Sequence, residues 1–191
     1  MPKIVRDEDI FRAVIRVIVL RGYAGATTKE MAEAANVSEM TLFRKYETKA
    51  QLVKLAISSI ADQMDFESAT QYSGDLYADL FAVVERYQNL ASEYGHFLSV
   101  LMPDLGRYPE MAEVMERPMG IMRSVGMLVA RYQAEGQLRV ENPFHTVSAL
   151  LGPLVYIPML RGSVLDSNLP SMDLAEHVKN FLGGREVFPK D

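Results

Sequence analysis

Three signals for helix starts lie within 22 residues of one another and constrain the N-terminal part of this 191-residue chain. Thr27 and Glu30 have the T-x-x-E form of a capping box, in which each side chain accepts a hydrogen bond from the other residue's backbone N–H. Ser38 is a good N-cap for a further helix, and Thr48 and Gln51 repeat the pattern as T-x-x-Q. Helices that begin so close together must be short, so the signals predict a compact bundle of short helices.

The remainder of the chain is also expected to be helical, because apolar residues recur at helical spacing and no segment has a convincing strand pattern. We therefore predict an all-α fold. The first four helices are expected at residues 7–21, 27–35, 38–46 and 48–66. Gly22 is expected to cap the first helix, and Asn36 tolerates the left-handed backbone needed after the second.

Longer helices are expected in the C-terminal part, near residues 75–93, 96–104, 109–116, 118–136, 143–161 and 173–183. Asn142 and Pro143 form a good helix start, a capping Asn followed by Pro in the first turn. Breaks are expected at Gly95, Pro103, Gly106, Pro118 and Gly136, and residues 162–171 are expected to form an irregular loop. The sequence is accordingly divided into a first domain, 1–50, and a second, 51–191.

The composition excludes several classes of site. The chain has no Cys, so it has no disulfide, thiolate metal site or thiol nucleophile. The apolar run at 14–20 is too short and too charged for a membrane span and lacks a signal-peptide cleavage site. We expect a soluble, cytoplasmic protein that does not bind membranes.

Enzymatic motifs are also missing from the sequence. It contains no GxSxG, no Gly-rich phosphate loop and no HExxH. His96, His145 and His177 do not have the paired spacing of metal ligands. We expect no enzymatic activity, no cofactor and no metal.

Charge is distributed unevenly along the chain. The net charge is −5, but residues 1–55 hold ten basic and seven acidic side chains, a balance of +3. The remainder, with ten basic and 18 acidic side chains, carries −8. A mildly basic head on an acidic body can bind phosphate with the head alone, although chance clustering explains the same asymmetry.

Residues 28–42 have the spacing of a helix-turn-helix motif. With Thr28 as position one, the small Ala32 is at position five, where two crossing helices touch. Asn36 at nine suits the turn, and Val37 and Leu42 at ten and fifteen fill the wedge between the helices. In helix-turn-helix proteins the second helix lies in the DNA major groove. The spacing by itself leaves open an ordinary helical hairpin with a solvated outer face.

The outer face of that second helix has a chemistry suited to DNA. It carries hydroxyl groups, basic groups and the apolar side chains of Met40 and Phe43. Hydroxyls and Lys suit phosphate, Arg suits guanine, and Met or Phe suits the thymine methyl group.

The stretch "GYAGATTKEMAEAANVSEMTLFRKYETKAQLV" (22–53) resembles the DNA-binding segment of TetR-type transcriptional regulators. A looser resemblance to the same family extends over 107–154. Membership of this family would imply a three-helix N-terminal DNA-binding domain and a C-terminal helical domain for ligand binding and dimerisation. The DNA-binding residues it implies, together with the outer-face chemistry, are Thr27, Thr28, Ser38, Glu39, Met40, Thr41, Phe43, Arg44, Lys45, Tyr46 and Lys49. Glu39 and Met40 depart from the family, which often has a basic and a small residue there, and suggest an unusual operator.

A cluster of Met and aromatic residues in the central part is the candidate effector site. Six of the 12 Met residues lie between 102 and 127. Met suits adaptable binding surfaces, and the resemblance places the ligand cavity among these helices; ordinary core packing is the alternative. The expected ligand-binding residues are Met64, Phe81, Tyr87, His96, Phe97, Met115, Met119, Met122, Arg123 and Tyr156. Pro118, Pro153 and Pro158 are expected to break or kink their helices.

The segment 143–160 is apolar on nearly every face, so it must be buried. A partner subunit is one way to cover it, and a place in the monomer core is the other. The function expected is a ligand-responsive, dimeric DNA-binding repressor. Its partners would be a double-stranded operator with an inverted repeat, a second copy of the chain and a mostly apolar small molecule. The rival is a helical small-molecule carrier whose N-terminal hairpin is only structural.

Overall fold

The computed structural model describes residues 5–160 and 171–187, without the side chains of 158–160. These residues form α-helices joined by short loops, with no strand among them. The helices are α1 (Asp7–Gly25), α2 (Thr28–Ala34), α3 (Glu39–Tyr46), α4 (Lys49–Gln63), α5 (Phe66–Ala69), α6 (Leu76–Leu101), α7 (Met111–Val114), α8 (Glu116–Ala134), α9 (Pro143–Leu160) and α10 (Leu174–Gly183), with a 3₁₀ turn at Met102–Asp104. The predicted all-α fold is confirmed. The loop predicted at 162–171 lies almost entirely outside the described residues.

The chain divides into two compact units. The first comprises residues up to Gln63 together with His96–Pro118, and the second comprises Met64–Gly95 and the residues from Met119 onward. The predicted boundary at residue 50 differs from this division, because α4 packs against α1 and against α7 within the first unit.

Helix caps define the first unit as the sequence predicted. Glu30 N–H donates to the Thr27 hydroxyl oxygen at 3.1 Å, and Thr27 N–H donates to the Glu30 carboxylate at 3.0 Å, so the capping box is complete. The Ser38 hydroxyl oxygen accepts from Thr41 N–H, and that of Thr48 accepts from Gln51 N–H. These short helices bury a shared core of Ile10, Val14, Ile18, Met31, Ala32, Leu42, Leu52, Val53 and Ala56.

Several predicted helix boundaries were wrong. Gly95 does not break α6, which is continuous from Leu76 to Leu101. Phe66 is not on α4, because Asp65 adopts a left-handed backbone (φ 48°) that ends one helix and starts α5. Pro118 lies in the first turn of α8, where its missing N–H costs no helical hydrogen bond. Pro153 lies inside α9 without ending it.

The second unit is built on one apolar core from α6, α8, α9 and α10. Its fully buried members include Leu80, Val125, Tyr132, Val147 and Leu150. The Tyr132 hydroxyl donates to the buried Asp79 carboxylate at 2.5 Å, which also accepts from Ser73. None of the described helices is long and apolar enough to cross a membrane.

Candidate DNA-binding surface

Helices α2 and α3 form the helix-turn-helix that the residue spacing predicted. Asn36 has φ 55°, the left-handed conformation that an Asn tolerates. Val37 N–H donates to the Ala32 carbonyl at 3.0 Å, which closes the turn. Ala32 and Leu42 are buried at the crossing of the two helices. The turn geometry and the small contact residue together fix the direction in which α3 presents its outer face.

The outer face of α3 exposes two large apolar side chains. Met40 is 80% exposed and Phe43 is 50% exposed. Ser38, Arg44 and Lys45 are exposed beside them, while Glu39 and Thr41 are half-buried. Ser38 and Thr41 share a hydrogen bond between their hydroxyl groups at 2.7 Å. Large apolar groups left in water on a short polar helix are what a thymine methyl contact in the major groove would use.

Tyr46 does not belong to this exposed face. It is only 4% exposed, and its ring packs against that of Phe11 with centroids 5.9 Å apart. Its hydroxyl donates to the Asp7 carboxylate at 3.1 Å, and burial together with that carboxylate raises the pKa of the Tyr46 hydroxyl. Tyr46 therefore lies in the core between α1 and α3, and a DNA contact by its hydroxyl stays a prediction.

The basic side chains near α3 differ in their intramolecular partners. Lys45 donates to the Asp7 carboxylate. Arg44 and Lys29 are exposed and make no hydrogen bond or ion pair with any residue that the structure describes. Lys29 was not among the DNA contacts predicted from the sequence. Its position in the first turn of α2, next to the capping residues Thr27 and Thr28, was the signal that could have identified it.

Lys49 is turned toward the first unit's own core. Its ammonium donates to the Tyr23 carbonyl oxygen and lies 4.2 Å from the centre of the Tyr23 ring. Burial lowers the pKa of Lys49, and the nearby Asp104 and Glu110 carboxylates oppose that shift. Asp104 itself accepts from Tyr23 N–H at 3.2 Å. A phosphate contact by Lys49 stays a prediction, and it would require this ammonium to leave Tyr23.

The threonines before and at the start of α2 are also engaged. The Thr27 hydroxyl donates to Glu30 at 2.9 Å as part of the capping box. The Thr28 hydroxyl reaches across the motif and donates to the Glu39 carboxylate on α3 at 2.6 Å. Thr28 therefore links the two helices of the motif through a side-chain hydrogen bond.

Comparison with known proteins shows what the N-terminal part of the chain is similar to. Residues 10–56, which contain the whole helix-turn-helix, match the model of the bacterial regulatory proteins of the tetR family. The N-terminal segment of the chain is therefore similar to the DNA-binding segment of that family. It is also 40% identical over 77 residues to an uncharacterized HTH-type transcriptional regulator, YvkB, of Bacillus subtilis strain 168. That alignment spans 40% of each protein, less than half the length of the relative.

Solved structures extend the resemblance in fold to nearly the whole chain. The fatty acid degradation regulator FadR of Bacillus halodurans is 18% identical, with a TM-score of 0.70 over 96% of this chain and 94% of its own. The transcriptional regulator FadR of Bacillus subtilis, solved in complex with stearoyl-CoA, is 14% identical, with a TM-score of 0.71 over 93% and 96%. At these identities the likeness shows that the chain shares their fold, and nothing beyond the fold.

The ligand-binding residues suggested by the TetR resemblance divide between the two units. His96, Phe97 and Met115 belong to the first. The second holds Met64, Phe81, Tyr87, Met119, Met122, Arg123 and Tyr156. Phe97 is buried, and Met64, Phe81, Tyr87, Met115 and Met122 are half-buried. His96, Met119, Arg123 and Tyr156 are exposed, which differs from the enclosed position expected for a cavity lining.

One group of these residues is in contact within the second unit. The Tyr87 hydroxyl donates to the Met122 sulfur at 3.0 Å. Its ring meets that of Phe66 edge-on, with centroids 5.0 Å apart, and burial raises the pKa of Tyr87 to about 12. Phe66 was not among the expected ligand residues. Because Phe66 was assigned to the end of a longer α4, its contact with Tyr87 was not predicted.

Proposed function

We propose that the chain is a sequence-specific, DNA-binding transcriptional regulator, and that it acts as a dimeric repressor released by a ligand. The observation that carries the DNA-binding proposal is the outer face of α3. Met40 and Phe43 are exposed there, and Arg44 has no partner within the part of the chain that the structure describes. A hairpin with only a structural role would not require two large apolar side chains exposed to water beside an unpaired cation.

These groups match the two kinds of contact that DNA requires. A cation without an intramolecular partner can neutralise a phosphate at no cost in lost ion pairs, and each such contact releases counterions. Apolar side chains on the same helix can contact thymine methyl groups in the major groove. Phosphate contacts give affinity and base contacts give sequence preference, so α3 combines the two.

The DNA-binding proposal is tested with the full chain and a random double-stranded DNA library. Bound fragments are recovered, amplified and sequenced through several rounds at increasing salt. Salt-dependent retention with enrichment of one sequence motif supports a regulator. A chain that enriches no motif and retains no DNA at low salt would instead fit the helical carrier, and the regulator would be rejected.

The dimer is proposed to form through α9. Its inner side is buried in the second unit at Val147, Leu150 and Leu151. Its other side leaves Phe144, Val155 and Tyr156 exposed, with the small Ala149 and Gly152 between them along the helix. Exposed apolar side chains with small residues between them permit close packing of a second copy. This supports both sequence-based readings of the segment at once, because one face serves the monomer core and the other face would serve the dimer.

The operator is then expected to be an inverted repeat. Two copies of α3 related by a two-fold axis would read two half-sites about 34–36 Å apart, or a multiple of that distance. A footprint with two symmetric protected half-sites supports this arrangement. A single asymmetric half-site, bound by a monomer, would contradict it.

The effector is proposed to be a largely apolar molecule, with an acyl-CoA as the first candidate. The Phe66, Tyr87 and Met122 group offers an aromatic and thioether surface, and a protein with this fold was solved with stearoyl-CoA. Thermal-shift measurements should compare stearoyl-CoA with coenzyme A. Stabilisation by stearoyl-CoA and none by coenzyme A supports an apolar effector, whereas equal responses to both would exclude recognition of the acyl chain.

A further inference from the structure

Glu39 is held in one orientation at the start of the recognition helix. It is the first residue of α3, and one carboxylate oxygen lies 2.6 Å from the hydroxyl oxygen of Thr28 on α2. A carboxylate only accepts hydrogen bonds, so the Thr28 hydroxyl must be the donor. The second carboxylate oxygen has no hydrogen-bond partner among the described residues. The side chain is half-buried, next to the exposed Met40.

In a DNA complex, a carboxylate at this position would be repelled by the phosphates unless it also bound a DNA group. The N-terminal residues of a recognition helix are the ones that approach base edges. A negative charge placed there faces two phosphate backbones, and it is tolerated only where a hydrogen-bond donor of the DNA compensates it. The Thr28 hydrogen bond also prevents Glu39 from simply rotating away without losing a partner.

The major groove offers only two donors that could meet a carboxylate. They are the N4 amino group of cytosine and the N6 amino group of adenine. The adenine amino group lies beside the N7 acceptor, which repels the second carboxylate oxygen. The cytosine amino group lies beside a C–H group on the same base, which does not repel it. Cytosine is therefore the better partner.

We infer that Glu39 determines specificity by accepting a hydrogen bond from the N4 amino group of one cytosine in each operator half-site. Thr28 is the positioning residue that holds the carboxylate through its hydroxyl. This inference rests on the proposed DNA-binding function and adds the base that the site selects. It also gives a function to the carboxylate that occupies this position in place of a basic residue.

A purely structural role for the same hydrogen bond makes different predictions. If Thr28 and Glu39 only brace α2 against α3, removing either group lowers the affinity for every DNA sequence by the same factor. It also lowers the melting temperature. It does not change which base is preferred at any position. Base preference is therefore the readout that separates the two roles.

The experiment compares the full-length wild-type chain with Glu39→Gln, Glu39→Ala and Thr28→Val, using library enrichment followed by affinity measurements on single-base variants of the selected operator. Glu33→Gln is the matched control. Glu33 is an exposed carboxylate on α2. Its replacement by Gln changes the net charge of the first unit by the same amount as the replacement of Glu39. Melting temperatures of all five proteins show that each variant is folded.

The wild-type chain is expected to prefer cytosine by about tenfold or more at one pair of symmetry-related positions. Glu39→Gln should move that preference to adenine, because Gln pairs with the N6 and N7 atoms of adenine. Glu39→Ala should lose the preference, and Thr28→Val should keep cytosine with weaker discrimination. Glu33→Gln should bind all sequences somewhat more tightly with unchanged base preferences.

Two results overturn the inference in distinguishable ways. If the wild-type chain enriches no sequence, the proposed DNA-binding function fails and this inference fails with it. If the wild-type chain selects an operator and both Glu39 variants keep its preference at every position, DNA binding stands and Glu39 does not read a base. Unchanged discrimination in Thr28→Val would remove the positioning role of Thr28.

Discussion

Arg44 and Lys45 are adjacent on α3, yet their side chains have different surroundings. Lys45 is paired with the Asp7 carboxylate of α1, whereas Arg44 is exposed without a partner in the described residues. A phosphate must compete with Asp7 for Lys45 but with water alone for Arg44. Exposed ion pairs contribute only about 0–1 kcal/mol, so Lys45 can still exchange partners. Of these two cations on α3, Arg44 binds a phosphate without first losing an ion pair.

Arg44→Ala is therefore expected to weaken binding to specific and non-specific DNA alike. The slope of log affinity against log salt concentration should fall by about one unit, as for the loss of one phosphate contact. The measurement is fluorescence anisotropy over a range of salt concentrations. Lys179→Ala, which removes one exposed charge from α10 in the other unit, is the control and should leave the slope unchanged. An equal slope in both variants would place Arg44 outside the interface.

The sequence could predict which residues form the outer face of α3 but not which of its charges are free. Turn chemistry and spacing are local, so Asn36 and Leu42 were placed correctly. The partners of Lys45 and Lys49 lie 38 and 26 residues away, at Asp7 and Tyr23. Those contacts exist only after α1 has packed against α3 and α4, and no local pattern encodes them. The burial of Tyr46 has the same origin.

The capping box that starts α2 includes the Glu30 carboxylate, so its strength depends on pH. Hydrogen bonds from Thr27 lower the pKa of the Glu30 carboxyl below its usual value of 4.5, and Arg21 adds to the effect. A carboxyl with a lowered folded-state pKa stabilises the fold above its unfolded pKa. That contribution is lost as the pH falls through the folded-state value.

Glu30→Ala should consequently destabilise the chain more at pH 7 than at pH 4. At pH 7 the wild-type carboxylate caps Thr27, while near and below pH 4.5 protonation progressively removes the difference between wild type and variant. Urea unfolding at both pH values measures it. Glu33→Ala is the control, because Glu33 is exposed on the same helix and its carboxylate makes no hydrogen bond among the described residues. A pH-independent loss in Glu30→Ala would mean that the charged carboxylate is not the cap.

Where helices end was harder to predict than where they begin. Gly95 suggested a break, but a Gly inside a helix costs only about 1 kcal/mol relative to Ala. The burial of Phe97 and Leu101 beyond it outweighs that cost. Conversely, Asp tolerates the left-handed backbone that Asp65 adopts, but the presence of one Asp does not by itself predict that α4 ends there. Helix caps depend on neighbouring residues and can be predicted from the sequence. How far a helix continues depends on which of its residues are buried by the tertiary structure.

At the scale of the whole molecule, the exposed face of α9 should control assembly. Tyr156 is 63% exposed, and Phe144 and Val155 are exposed on the same helix. Aromatic residues at the centre of an interface commonly contribute about 2 kcal/mol or more. Tyr156→Glu should shift the chain toward monomer in light scattering and weaken operator binding. Val140→Glu is the matched control, since Val140 is 81% exposed in the loop before α9. Dissociation by both variants, or by neither, would argue against an α9 interface.

The connection after α4 is where an effector is expected to influence DNA binding. In the first unit, α4 packs against α1 and α7. The chain enters the second unit at the half-buried Met64. The left-handed Asp65 follows, and then Phe66, whose ring contacts Tyr87. A ligand that displaces Phe66, directly or through Tyr87, would therefore act three residues beyond Gln63, the last residue of α4.

A ligand can change DNA affinity only by binding the DNA-competent and incompetent states unequally. We expect an apolar effector to weaken operator binding by about 1–3 kcal/mol without unfolding the helix-turn-helix. Met64→Ala removes the side chain at the junction, so it should reduce that coupling more than it reduces DNA affinity without ligand. Operator affinities with and without an effector identified by thermal shift provide the measurement. Met127→Ala, which truncates a 68% exposed Met on α8, should leave the coupling intact. If Met64→Ala also leaves it intact, the effector acts through another segment than the end of α4.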